Sequence, residues 1–308
     1  MATTTLGAGW GLRPYGDGDE GAVLALVNAD RMPGQPVAVP AMLREALAGR
    51  SPQNGEWWEE LAPPATDVLC NPSGTVAGVV SYAVRPGDGA GFILWLHCAD
   101  DRYALLAALV EHALGALEAD GPRTVCAFEI SSALNYGLEA LPVRHRPVPR
   151  RVLEDAGFTA RDEWRFLHAE LPLLLPGPAG LRGLPGLPRA ADVTVVECGG
   201  AQRRLEIVEG GRTVAEALVE TAHDGLGAVW WIGVAPAARR RGLGLRLLGS
   251  ALDVLAECGA REVVLYVDDD PAMPPPVPPE DDRTAANRLY DRAGLTEVDR
   301  LYCFIRPA

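Results

Sequence analysis

Residues 234–255 read VAPAARRRGLGLRLLGSALDVL. A β-like run, GAVWWIGVAP (227–236), leads into them, and Pro236 ends it because proline has no N–H to give to a ladder. On the far side, Leu243, Leu247, Leu248, Ala251, Leu252 and Leu255 recur at helical spacing up to Gly259, a C-terminal stop. Between strand and helix stand Arg239, Arg240 and Arg241, followed by Gly242, Leu243, Gly244 and Leu245. Glycine lets backbone N–H groups turn inward and come close to a ligand. The first turn of a helix adds N–H groups without intrahelical partners and the positive end of the dipole. Such a place binds an anion, most naturally a pyrophosphate held by the N–H groups of 240–245, and the guanidinium groups add charge.

Working outward, the second half of the chain orders itself around this loop. VTVVEC (193–198), RRLEIVEGG (203–211) and TVAEALVETA (213–222) read as strands, with Gly210-Gly211 as a hairpin turn. REVVLYVDDD (261–270) is a buried strand followed by an acidic, proline-rich insertion. TAANRLYDRAGL (284–295) is a short helix closed by Gly294, and TEVDR and LYCFIRP are expected as two final strands. The first half repeats the order with a longer front end. GWGLRPY suggests a strand, DEGAVLALVNADR and VPAMLREALAGR two helices, and TDVLCNPSGTVAGVVSYAVR a hairpin. GFILWLHCADD, the helix RYALLAALVEHALGALEADG, RTVCAFEI, the helix VPRRVLEDAGF and EWRFLHAEL follow. The tails VLEDAGFTARDEWRFLHAELP and LYDRAGLTEVDRLYCFIRPA align by eye, which indicates an internal duplication. Five prolines and four glycines in LPLLLPGPAGLRGLPGLPRAAD mark 171–192 as a linker, so the expected domains are 1–170 and 193–308.

Composition narrows the function. The 308 residues carry a net charge of −13, and phosphate neutralisation, the main source of nucleic-acid affinity, asks for the opposite balance; a cationic small partner suits it better. All 28 basic residues are arginine, which removes Schiff-base and other lysine chemistry. Cys70, Cys98, Cys126, Cys198, Cys258 and Cys303 form no C-x-x-C pair and have no histidine at ligand spacing, so buried free thiols are expected and no metal. The N-terminus lacks the basic and apolar regions of a signal peptide, and no apolar run reaches membrane-spanning length, so a cytoplasmic protein with no membrane partner is expected.

Three phosphate loops share the ingredients of 239–245. A P-loop ends in Gly-Lys-Ser/Thr, and there is no lysine. A dinucleotide fingerprint needs a small residue at 247, where leucine stands. Arg239, Gly242 and Gly244 instead match, in register, the Q/R-x-x-G-x-G/A coenzyme A loop of the GNAT (GCN5-related N-acetyltransferase) superfamily. The chain resembles that superfamily over its whole second half, including NRLYDRAGL with Tyr290 and Gly294, and its first half resembles a degenerate copy. The tandem layout is similar to that of the mycothiol synthases. The resemblance implies an α/β chain of two tandem GNAT-like domains, each with a mixed, mostly antiparallel central sheet flanked by helices.

It further implies acetyl-CoA, or another short acyl-CoA, as cofactor and acyl donor, and a small-molecule primary amine as acceptor. The N–H of Val234 would polarise the thioester, Ile232 would line the pantetheine arm, and Tyr290 would protonate the leaving thiolate. Tyr290 could equally be a core residue. The general base is open: the strand glutamate common in relatives is replaced by Ala228, Asp268 is the nearest substitute, and Glu220 and His223 come second. Trp230 and Trp231 read as packing or as an acceptor wall. The usual asparagine before the tyrosine helix falls on Arg283, which could contact CoA phosphates, and Asn287 lies one turn later. In the first half HCADDRYALL stands where the loop should be; Asp100 and Asp101 would repel a pyrophosphate, and Leu153 takes the tyrosine position. Glu56, Glu59 and Glu60 could draw in a cationic amine. Three rivals remain: an acyl-CoA-binding scaffold or sensor, a transferase of the same fold using aminoacyl-tRNA, and a protein-modifying acetyltransferase, for which an open acceptor groove would be the sign.

Overall fold

The computed structural model describes residues 6–51, 55–119, 121, 123–134, 140–173, 193–268 and 284–308. The chain forms two compact units, residues 1–163 with 299–308, and residues 164–298.

Unit 1 begins with β1 (Gly11–Pro14), α1 (Glu20–Ala29), α2 (Pro40–Leu47) and a short α3 (Gly55–Glu59). There follow β2 (Ala65–Cys70), β3 (Val76–Val84), β4 (Gly91–Cys98), α4 (Tyr103–Leu117), β5 (Val125–Ala127), β6 (Leu141–Pro142) and α5 (Pro147–Asp155). β7 (Thr159–Glu170) then carries the chain into unit 2. There lie β8 (Val193–Gly199), β9 (Gln202–Glu209), β10 (Arg212–Thr221), β11 (Leu226–Val234), α6 (Leu243–Glu257), β12 (Glu262–Asp268) and α7 (Thr284–Ala293). The last strand, β13 (Thr296–Arg306), returns the chain to unit 1.

The expected pair of final strands is thus one strand of 11 residues, because 296–306 contains no glycine, proline or asparagine to turn it. The same continuity in β7, 12 residues long, moves the unit boundaries away from 170 and 193. Each unit therefore takes one strand end that the halves of the sequence assign to the other. Of the expected linker 171–192, residues 174–192 lie outside the described residues.

Within unit 1 the strand order is β1-β2-β3-β4-β5-β13, antiparallel except that β4 and β5 run parallel. Within unit 2 it is β7-β12-β11-β10-β9-β8, with β11 and β12 parallel. This is the mixed, mostly antiparallel α/β sheet expected, twice over. One face of the unit 1 sheet packs on α4 and α5 through Leu105, Leu109 and Leu153, and the other on α1–α3 through Val23, Leu43 and Trp58. In unit 2 the face bearing Ala217, Val219, Val229 and Val263 packs on α6 and α7. The apolar stripe of α6 is buried as its spacing demands, and each of its buried leucines contributes roughly 1.5–3 kcal/mol. Among the described residues no helix of unit 2 packs on the other face, and β8 passes to β9 through a tight turn at Gly200-Ala201. Three of the six cysteines, Cys98, Cys126 and Cys303, are buried; Cys198 and Cys258 are exposed, because their side chains fall on an edge strand and a helix end.

Candidate functional site: the opening between β11 and β12

β11 and β12 pair only from Leu226 to Ala228, opposite Glu262 to Val264, and then part. The backbone that faces this opening follows from the register with β10. Ala235 donates to Val214 at 2.9 Å, so 214 and 235 are a hydrogen-bonded pair. The next pair, Ala215 with Val234, is then the non-bonded kind, and so is Ala217 with Ile232. Ile232 and Val234 therefore turn their N–H and C=O groups away from β10 and into the opening. Their side chains pack on the α6 face.

At the end of β11 the chain makes a single turn of 3-10 helix at Pro236–Ala238 and reaches α6. Arg240 at φ 62° and Gly242 at φ 78° adopt the left-handed conformation, one of them at the cost an L side chain bears there. Gly242 caps α6, and its first-turn N–H groups at 243–245 have no intrahelical partner. The Leu243 side chain is in the core, so only its backbone serves the loop, and Leu245 is half-buried. The arginines divide. Arg239 Nε donates to the Val234 carbonyl at 3.2 Å, and Arg241 forms a two-pronged pair with Glu209 at 2.9 and 2.7 Å. Arg240 has no partner among the described residues and is exposed.

Three elements converge at Gly244: a Cβ there would lie 3.5 Å from Leu289 of α7 and 3.7 Å from Val234 of β11. Tyr290, next to Leu289, is 5% exposed, and burial pushes its phenol above its ordinary value, so it keeps its proton at neutral pH. Its hydroxyl makes no hydrogen bond to a described residue. Asn287 is buried, and its Oδ1 accepts from Arg165 at 2.7 Å. Arg165 also binds Asp291 and Glu297, so Asn287 helps to hold α7 on β7. Asp268 ends β12 opposite Trp164, with its side chain outside the described residues; Arg283 and the side chain of His223 lie outside them too. Glu220 faces away from α6, and its Oε2 accepts from Trp230 Nε1 at 2.8 Å and Gln202 Nε2 at 3.1 Å. Sequence reading passed over Glu216; its signal was an acid at an alternating position of TVAEALVE, in phase with Glu220.

The corresponding opening in unit 1 is filled. β4 and β5 pair only from Gly91 to Ile93. Arg146, 4% exposed, enters beyond that point and donates to the Leu96 carbonyl at 2.9 Å. Its guanidinium also binds Asp101 at 2.7 Å and Asp30 at 2.9 Å. His97 Nδ1 lies 2.6 Å from Asp30. Burial pushes His97 below its ordinary value against the pull of Asp30, so the neutral ring donates its Nδ1 proton. Burial works against the Asp30 carboxylate, yet the His97 hydrogen bond and the Arg146 charge outweigh it and hold the carboxyl below its usual range. The link from β4 to α4 is also short, four residues (99–102) against eight (235–242) in unit 2. Leu153 is fully buried in the core.

Comparison with known proteins bears on this geometry. Residues 193–274 match the acetyltransferase (GNAT) family. Among solved structures, a tandem GNAT protein from the clavulanic acid biosynthesis pathway aligns over 97% of this chain and 98% of its own, with a TM-score of 0.66 and 15% identity. A GCN5-related N-acetyltransferase from Sphaerobacter thermophilus aligns over 98% and 97%, with a TM-score of 0.64 and 17% identity. The chain folds as a tandem GNAT protein. Among curated sequences, the mycothiol acetyltransferase of Mycobacterium leprae is 37% identical over 95 residues, 29% of this chain and 27% of that protein. That of Renibacterium salmoninarum is 33% identical over 84 residues, 27% of this chain and 21% of that protein. The matches thus span about a quarter of the relatives' length. Among the described residues no group of three or more His, Cys, Asp or Glu side chains could hold a metal ion, and no helix is long and apolar enough to cross a membrane.

Proposed function

We propose that unit 2 transfers an acetyl or other short acyl group from acyl-CoA to a primary amine of a small molecule. The observation that carries this reading is the parted β11–β12 pair, with the N–H groups of Ile232 and Val234 turned into the opening and the 239–245 loop closing its end. The residues fit the cofactor. The loop N–H groups and Arg240 receive the pyrophosphate, and Ile232 lines the pantetheine arm. When bound, the cofactor supplies an activated thioester. The Val234 N–H donates to its carbonyl oxygen where negative charge develops. Tyr290 holds the proton that the thiolate takes up. The amine proton passes to a carboxylate, Asp268 at the end of β12 being the first choice and Glu220 the second.

Calorimetric titration of acetyl-CoA tests the reading. Wild-type protein is expected to bind one equivalent per chain, and Gly244→Glu none, because the longer side chain enters the space between Leu289 and Val234 and puts a carboxylate at the helix N-terminus. Two equivalents, unimpaired binding by the variant, or no binding by the wild type would overturn it.

A further inference from the structure

The sheet face of unit 2 opposite α6 carries side chains that the acyl-donor site does not use. Both units contain the same irregularity, a bulge at Leu94 between β3 and β4 and at Trp230 between β10 and β11. Matching the bulges puts Trp95 with Trp231, Val79 with Glu216 and His97 with Gly233. In unit 1, Val79 and Trp95 are both 0% exposed beneath α1–α3. In unit 2 the same face holds a carboxylate and a tryptophan 53% exposed.

That tryptophan is not splayed at random. A Cβ on Gly233 would lie 3.0 Å from Trp231 Nε1, so the indole lies over Gly233 in room that only glycine leaves. Glu216 sits directly across from Gly233, on the same face, and its carboxylate has no partner among the described residues. Across the next strand it faces Glu206, a like charge whose own partner is Arg204 at 3.9 Å, so Glu216 is the one of the two with no described partner. Ile232 and Val234, which flank Gly233, are the residues whose backbone faces the acyl site. An aromatic face and a carboxylate with no described partner therefore stand one residue from Ile232 and Val234.

We propose that Trp231 and Glu216 form the acceptor subsite of unit 2 and select amines that carry a second positive charge. The proposal rests on the acyl-transfer reading for its setting. Its logic is one of protonation: the attacking nitrogen must be neutral, and a carboxylate under an aromatic ring would instead hold that nitrogen as ammonium. The pair helps only when the charge it holds belongs to a different nitrogen of the same molecule. The acceptor class is accordingly a diamine or polyamine, in keeping with the net charge of −13.

The probes are putrescine, a four-carbon diamine, and n-butylamine, its monoamine counterpart, titrated into the full chain with and without saturating CoA. Wild-type protein is expected to bind putrescine about tenfold tighter than butylamine. Trp231→Ala and Glu216→Gln should each weaken putrescine about fivefold and remove the preference, whereas Trp231→Phe, which keeps an aromatic face, should retain most of it. Trp231 is exposed and Glu216 half-buried, and unchanged thermal melting will show that the variants fold. Equal affinity for the two amines, no binding of either, or losses of the same size for both would overturn the proposal. Acetyl-CoA binding to the same variants is expected to stay at the wild-type level. Amine discrimination with no acetyl-CoA binding would sink the acyl-transfer reading and leave the diamine site standing; the reverse result would do the opposite.

Discussion

The two openings of this molecule have the same backbone and opposite contents. In both units a pair of parallel strands parts after three residues, and the carbonyl of the second residue past the bulge points into the gap. In unit 1 that carbonyl, on Leu96, accepts a hydrogen bond from Arg146. In unit 2 the equivalent residue is Ile232, and no described side chain reaches it. A parted sheet leaves polar backbone groups that need partners. Unit 1 supplies the partner from its own chain and secures it with Asp30 and Asp101, while in unit 2 no described side chain takes that place. If unit 1 descends from a copy that bound a cofactor as unit 2 is proposed to, the Arg146 guanidinium stands in for polar contacts the cofactor would have made.

The sharpest way to break this comparison is Arg146→Leu. It removes the guanidinium and leaves Asp30 and Asp101 facing each other in a buried gap, which should cost about 3–5 kcal/mol in urea unfolding of the chain. The variant should still bind a single acetyl-CoA, because the four-residue link 99–102 and its two aspartates cannot form the loop of unit 2. Appearance of a second acetyl-CoA site would mean that the plug alone separates the two units. A wild-type unfolding midpoint would mean that the ion pairs contribute nothing to holding unit 1 together.

A smaller effect separates the two helices that end in Gly157 and Gly294. Leu153 and Tyr290 occupy the same turn, and both are buried, so burial alone does not tell a catalytic phenol from a core side chain. Tyr290→Phe keeps the ring and removes the proton. If the phenol serves the leaving thiolate, kcat with acetyl-CoA and a diamine should fall about a hundredfold while the affinity for acetyl-CoA holds. Full activity with an altered melting temperature would reduce Tyr290 to what Leu153 is.

How much of this was legible beforehand depends on which interactions are local. The loop, its helix and the duplication were readable because glycines at fixed offsets and a leucine stripe encode a strand–loop–helix turn within twenty residues. The acidic loop of the first half was readable for the same reason. The Arg146 plug was not, since it joins positions 30, 96, 101 and 146, and nothing in VRHRP says where the guanidinium goes. Register was hidden as well. Thr-Val-Ala occurs at 75–77 and at 213–215, and aligning the tripeptides matches Gly78 to Glu216. Pairing with the neighbouring strands matches Val79 instead, and a slip of one residue moves every side chain to the opposite face. Trp231 therefore read as packing or a wall, and Glu216 went unnoticed. The crossing of the chain between units inside β7 and β13 was also invisible, because only the absence of turn residues marks it.

The smallest expected effect concerns the loop itself. Arg241 is tied to Glu209 on the surface, and Glu209 holds Arg241 above, and Arg241 holds Glu209 below, its ordinary value. Both groups are open to water, so the pair is screened and carries little stability. If the loop holds a pyrophosphate as proposed, the consequence for binding has the opposite sign: a carboxylate beside the loop offsets the positive charge that favours the anion. Glu209→Gln should leave thermal melting unchanged and strengthen acetyl-CoA binding about twofold at low salt, a gain that fades as ionic strength rises and the Debye length shrinks to ~3 Å at 1 M. Weaker binding in the variant would show that Glu209 serves to aim Arg241 at the phosphate, making Arg241 rather than Arg240 the charge on which the loop depends.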